Sequence, residues 1–170
     1  NSIISAQEIS KTWKNGFIDK VESETEKGLR KPQYGALSAI RAHWTVSSKP
    51  ATVVLPTGTG KTETMLATIL SEQVTSVLII VPSNKAKTFG KLPDLGMVGK
   101  DVCFPNVVLY KSRIKDDLEL WTLFSDANII VSTVNAINNL SENILQQLVE
   151  KVDVLMIDEV HHIGASGWSE

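Results

Sequence analysis

The segment Leu55-Pro-Thr-Gly-Thr-Gly-Lys-Thr62, at the end of the apolar run 51–55, constrains this chain more than any other feature. An apolar run, a turn with glycines at Gly58 and Gly60, and a helix-forming stretch from Lys61 make a strand–turn–helix unit. Its turn closes only with backbone angles that glycine adopts freely. Such a turn aims successive N–H groups into one concavity, and the positive end of the following helix faces the same place, so the unit suits a phosphate. Lys61 then brings a point charge to the outer phosphates, and Thr62 brings a hydroxyl suited to Mg2+. Thr57, Gly58, Thr59, Gly60, Lys61 and Thr62 are therefore the expected nucleotide-binding residues, with Leu55 standing where the general pattern has its first glycine.

A phosphate loop needs an acidic partner at the end of another strand. The segment 152–159 supplies one, an apolar run that opens onto Asp158 and Glu159. Asp158 is placed to ligate Mg2+, and Glu159 beside it can orient and deprotonate a water, an arrangement for hydrolysis. Asp158, Glu159 and Lys61 are the expected catalytic residues. His161 and His162 follow without a cysteine or third histidine at ligand spacing, so zinc is not expected there.

The remaining apolar runs, 77–81, 107–110, 128–131 and 152–157, are rich in Val and Ile and continuous, the pattern of strands covered on both faces of a parallel sheet. With 51–55 they make five expected strands. Helical segments fall between them at 61–72, after Asn84, and at 143–149, which predicts a three-layer α/β sandwich. Two helices are expected ahead of the first strand. Ser5 and Glu8 have capping-box spacing before the stripe Ile9, Trp13, Phe17; Pro32 suits the first turn of a second helix with Leu37, Ile40, Arg41 and Trp44 inward. The charged tract 20–28 reads as a loop between them.

Composition excludes several classes. With 42% hydrophobic and 21% charged residues over 170 positions, neither a disordered polyelectrolyte nor a miniature disulfide scaffold fits, and Cys103 is the one cysteine. Apolar runs of about five residues are far short of the roughly 18 to 20 that span a bilayer. The N-terminus lacks a secretion-signal pattern, so no membrane association and a cytoplasmic location are expected. The net charge of −2 hides a segregation: residues 85–115 carry +5 and residues 141–170 carry −5. Charge blocks of this kind are either solvated faces or an electrostatic footprint.

The phosphate loop together with Asp158-Glu-Val-His-His162 resembles the DExH branch of superfamily 2 helicases, specifically the restriction-enzyme type of DEAD/DEAH-box helicase ATP-binding domain. The resemblance covers residues 29–168. Leu29-Arg-Lys-Pro-Gln33 resembles the Leu-Arg-x-x-Gln segment of that group, which implies that Gln33 reads the adenine edge and favours ATP. Val81-Pro-Ser83 and Val131-Ser-Thr-Val134 resemble the two motifs that touch the nucleic-acid backbone, which implies such contacts at Pro82, Ser83 and Thr133, and draws in Lys85 and Lys87. His161 takes the position that links the nucleotide site to a second lobe.

The resemblance thus implies a P-loop NTPase, RecA-like fold, with residues 1–28 a helical extension ahead of a partial lobe at 29–170. It implies ATP and Mg2+ as cofactors and a DNA or RNA backbone as partner. A second RecA-like lobe, in the parent chain or a partner, is implied as well, together with a possible nuclease or methyltransferase subunit. These residues contain no second lobe and no strand after the acidic one, so alone they are expected to bind nucleotide weakly and turn over very little. The rival readings are a nucleotide-gated regulatory module and the motor of a restriction or phage-defence complex.

Overall fold

The computed structural model describes residues 4–56, 58–82, 99 and 101–159. They divide into two compact units: Glu8–Gln73 with Leu92–Cys103, and Asn1–Gln7 with Val74–Lys91 and Phe104–Glu170.

The second of these holds an all-parallel sheet of β1 (Val77–Ile80), β2 (Val107–Tyr110), β3 (Ile129–Ser132) and β4 (Val154–Ile157), in the order β2-β3-β1-β4. Val77 is in register with both Ile129 and Val154, and Val107 with Ile129. All four lie within the apolar runs or one residue beyond them, because a β-branched run buried on both faces has no competing periodicity. One face is covered by α4 (Asp117–Ser125), α5 (Val134–Asn138) and α6 (Glu142–Lys151), whose Leu120, Phe124, Ile137, Ile144 and Leu148 pack with Ile80, Tyr110 and Ile130. The Tyr110 and Phe124 rings meet edge to face at 5.5 Å. Each helix has a side-chain cap: Asp116 accepts from the Glu119 N–H, Thr133 from Ala136 and Ser141 from Ile144.

The floor of the sheet is polar and fully bonded. Asn128, wholly buried, donates to the Ala6 and Thr75 carbonyls and accepts from the Asn106 N–H. Lys151 Nζ donates to Ser76 Oγ at 3.1 Å and to the Ala127 carbonyl at 3.0 Å. Burial lowers its pKa, an effect opposed by Asp153 and Asp126.

In the other unit, α2 (Lys31–Val46) packs on α3 (Lys61–Ser71). Arg41 of α2 bonds Glu72, the C-cap of α3, at 3.4 Å, and Asp19 ahead of α2 at 2.6 Å. Pro32 occupies the first turn of α2 as expected, but the buried face runs through Gln33, Ala36 and Leu37, while Ile40, Arg41 and Trp44 are half-buried. Residues 20–28 form no helix; the Leu29 N–H donates to the Lys20 carbonyl, and Gly28 is required because a Cβ would meet backbone atoms of Lys20 and Glu22 at 2.8 Å.

Two expected elements differ. The first helix, α1 (Ala6–Lys11), stops before Trp13 and Phe17. The Thr12 hydroxyl takes the Ile9 carbonyl at 2.7 Å, and Asn15 turns into the left-handed region, so the four-residue stripe outlives the helix that was to carry it. Trp13 is nonetheless 1% exposed, with Nε1 donating to the Cys103 carbonyl. The expected strand 51–55 has no regular secondary structure, and Val54 is 88% exposed. A strand exists only by pairing, and among the described residues no ladder includes this run. The expected helix after Asn84 lies outside the described residues.

Candidate functional site

The phosphate-loop segment is shaped by its glycines. Gly58 and Gly60 both have φ +80°, and Gly60, with ψ 58°, is the N-cap of α3 without any side-chain cap. A left-handed residue followed by a helical one turns its N–H and the next two toward one point, here those of Gly60, Lys61 and Thr62. The first intrahelical bond is Thr64 N–H to the Gly60 carbonyl, so the N–H groups of Lys61, Thr62 and Glu63 precede the ladder. At this end an 11-residue helix adds its positive dipole. The Thr59 N–H and hydroxyl both donate to the Pro56 carbonyl, at 3.2 and 2.5 Å. Lys61 and Thr62 are half-buried in the first turn.

The start of α2 grips this loop. Gln33, 3% exposed, accepts from the Arg30 backbone N–H through Oε1 at 2.8 Å and donates from Nε2 to the Gly60 carbonyl at 3.0 Å. The Arg30 guanidinium donates to the Gly58 carbonyl at 3.1 Å. A Cβ on Gly60 would collide with the Gln33 amide and lie 2.6 Å from the Glu63 carboxylate, whereas one on Gly58 would meet nothing within 4 Å. Gln33 was expected from the sequence as a nucleotide contact; its hold on Gly60 was not, and Arg30 was assigned no part. The adjacent Leu-Arg-x-x-Gln spacing puts both on one helix start, and that is the signal that could have joined them.

The acidic strand ends as its sequence suggests. Asp158 directly follows β4, is 7% exposed, and donates its N–H to the Ile80 carbonyl. Glu159 is half-buried with φ +55°. A glutamate in the left-handed region costs roughly 1 to 2 kcal/mol, strain of the kind that collects at functional positions. Because the sheet is parallel, Pro82 after β1, Thr133 after β3 and Asp158 after β4 gather at its carboxyl edge, where open α/β sheets bind ligands. The Thr133 hydroxyl is engaged as the cap of α5. The Thr62 hydroxyl and the Asp158 carboxylate are hard oxygen donors of the kind Mg2+ takes. Thr57, Ser83, Lys85, Lys87 and His161 lie outside the described residues. Of the other expected polar positions, His43 Nε2 bonds the Lys49 carbonyl at 2.8 Å.

The chain belongs to the family of the type III restriction enzyme res subunit, whose model matches residues 26–170. This is a family of superfamily 2 helicase ATP-binding domains, and the parallel α/β sheet agrees with its RecA-like P-loop fold. The chain is thus a helicase-like ATP-binding module of the kind found in restriction-type systems. Comparison with curated proteins finds no match. Among the described residues, no helix is long and apolar enough to cross a membrane.

Proposed function

We propose that residues 29–170 form the nucleotide-binding lobe of a motor that hydrolyses ATP to move along DNA or RNA, with residues 1–28 as a helical extension. The observation that carries the reading is the nest at Gly60, Lys61 and Thr62, set at the start of α3 with a cation in its first turn. ATP enters with its β- and γ-phosphates on this nest and on Lys61. Thr62 and Asp158 are the oxygen donors that would hold Mg2+, which when bound would neutralise charge on the phosphate oxygens. Glu159 accepts a proton from the water that attacks the γ-phosphorus; the bond to the β-phosphate oxygen breaks, and ADP and phosphate leave. Gln33 reads the adenine edge, and His161 transmits the state of the site to a second RecA-like lobe. Pro82, Ser83, Lys85, Lys87 and Thr133 touch the nucleic-acid backbone, contacts that position the protein without reading sequence. The family match favours a motor that serves a restriction-type complex, with a nuclease or methyltransferase as partner.

The test is ATP binding and hydrolysis by the protein, with and without DNA or RNA. Lys61→Ala abolishes binding, whereas Glu159→Gln keeps binding and lowers turnover by about 100-fold or more. Nucleotide affinity unchanged in Lys61→Ala refutes the site. Biological function intact in Glu159→Gln replaces the motor by a nucleotide-gated regulator.

A further inference from the structure

We infer that the amino edge of the sheet holds a second site, in which the Lys151 amine takes a neutral carbonyl compound of the aldehyde class as a reversible Schiff base. The inference is independent of the nucleotide site, because every residue it uses belongs to the unit that carries the sheet.

A cavity of about 670 Å3 opens at that edge, within the usual size of small-molecule sites. Ser76 before β1, Trp121 of α4, Lys151 at the end of α6 and residues 5–7 all line it. The four-residue strands set it about 13 Å from the carboxyl edge, where Asp158 stands. Buried Asn128 holds the N-terminal wall in place by donating to the Ala6 carbonyl at 2.9 Å. Residues 5–7 lie outside the 26–170 that match the family, so this wall is not part of what the family model describes.

The Lys151 nitrogen is held as a nucleophile is held. Nζ donates to the buried Ser76 hydroxyl at 3.1 Å and to the Ala127 carbonyl at 3.0 Å. Two acceptors satisfy the N–H groups of a neutral amine completely and leave its lone pair unengaged, whereas an ammonium has a third N–H to place. None of the ion pairs among the described residues includes Lys151. Burial favours the neutral amine as well, against the opposing charges of Asp153 and Asp126.

The other charged groups on the cavity wall are Asp126, Glu150 and Asp153, three carboxylates against one lysine. They repel an anionic ligand and admit a neutral one, and the iminium product keeps the positive charge that they offset. Trp121 offers apolar surface to the carbon chain of the ligand. In the reaction the ammonium first gives a proton to water, and Nζ attacks the carbonyl carbon to form a C–N bond. A proton moves from nitrogen to oxygen, the hydroxyl takes one more proton from water, and it leaves as water while the C=N bond closes. Ammonium and aldehyde thus become iminium and water, with atoms and charge balanced and no oxidant or reductant consumed.

Propanal with cyanoborohydride is the probe: the reductant traps each iminium as a stable propylamine, and peptide mass spectrometry reads every lysine separately. At pH 7, Lys151 is expected to react about threefold or more faster than the exposed Lys11, Lys49 and Lys115, since a gain of about tenfold in free amine is offset about threefold by weaker nucleophilicity. Unfolding in urea is expected to remove the preference. Glyoxylate, an anionic aldehyde, is expected to label Lys151 less than propanal does, relative to the same three lysines. Labelling of Lys151 no faster than that of the exposed lysines overturns the inference, as does a preference that survives in urea. Equal relative labelling by glyoxylate and propanal overturns the assignment of a neutral ligand.

Discussion

Replacing Gly60 by alanine separates two demands that the phosphate loop makes on one residue. Gly60 has φ +80° and ψ 58°, so any residue with a Cβ pays the left-handed penalty, about 1 to 2 kcal/mol. Its surroundings add more. The new methyl would collide with the Gln33 amide nitrogen and press on Glu63. Relief requires Gln33 to withdraw, which breaks its 3.0 Å bond to the Gly60 carbonyl and strands an amide that is only 3% exposed, about 1 to 3 kcal/mol more. A variant loop that relaxes out of this conformation has to regain it to hold phosphate, so the sum, roughly 2 to 5 kcal/mol, corresponds to a fall in nucleotide affinity of about 30-fold to several thousand-fold. Gly58→Ala is the control, since Gly58 has the same φ with nothing within 4 Å of its Cβ. It bears only the backbone cost and loses about tenfold. Titration with a fluorescent ATP analogue measures both. The double change Gly60→Ala with Gln33→Ala removes the obstacle and is expected to bind better than Gly60→Ala alone, so the double loss is smaller than the sum of the single losses. Equal losses at Gly58 and Gly60, or a double variant as poor as the sum of its parts, would show that the crowding at Gly60 is not what the motif requires.

Two further outcomes concern stability. Trp13→Phe empties part of a fully buried site and leaves the Cys103 carbonyl without its indole donor, so chemical denaturation should register a loss of about 2 kcal/mol; a loss below about 0.5 kcal/mol contradicts the packing described. For Lys151 the sign follows from burial. Its folded pKa is lowered from 10.5, so between that lowered value and 10.5 the unfolded chain binds more protons than the folded one, and native stability gains as pH rises through the window. Urea midpoints of wild type minus Lys151→Met should accordingly increase as pH approaches 10.5, and a flat or falling difference rules out desolvation as the dominant influence.

The sheet was the most legible part of the fold. Runs 77–81, 107–110, 128–131 and 152–157 each match the strand found there to within one residue, because a continuous β-branched run leaves a chain few other ways to hide it. Run 51–55 has the same composition and is coil, with Val54 open to solvent. Composition records which segments can be strands; whether a given segment is one depends on a neighbour with free N–H and C=O groups, and a neighbour is not written in the segment itself. The helix at α1 failed for a local reason. Ile9, Trp13 and Phe17 satisfy the helical period, yet Thr12 and Asn15 offer the backbone cheaper bonds and angles than another turn of helix. Two of those apolar residues are still buried, so the stripe reported burial correctly and secondary structure incorrectly.

Much the same division runs through the candidate site. Spacing alone marked Gly58, Gly60 and Lys61, because a turn that closes on an anion needs glycine angles and a cation at fixed offsets. Spacing could not distinguish the two glycines, although one stands in open space and the other is walled in by Gln33, Glu63 and Arg30. Two parts of that wall, Arg30 and Gln33, come from nearly thirty positions upstream, and what brings them to the loop is the packing of α2 on α3. Motif patterns record the backbone demands of a loop, which are local; the side chains that hold it are supplied by tertiary packing and carry no fixed offset. The same tertiary contact gives Gln33 two protein partners before any base arrives. If Gln33 is to read adenine as well, it must do so while releasing or sharing the Gly60 carbonyl, which would make base recognition and loop conformation parts of one equilibrium.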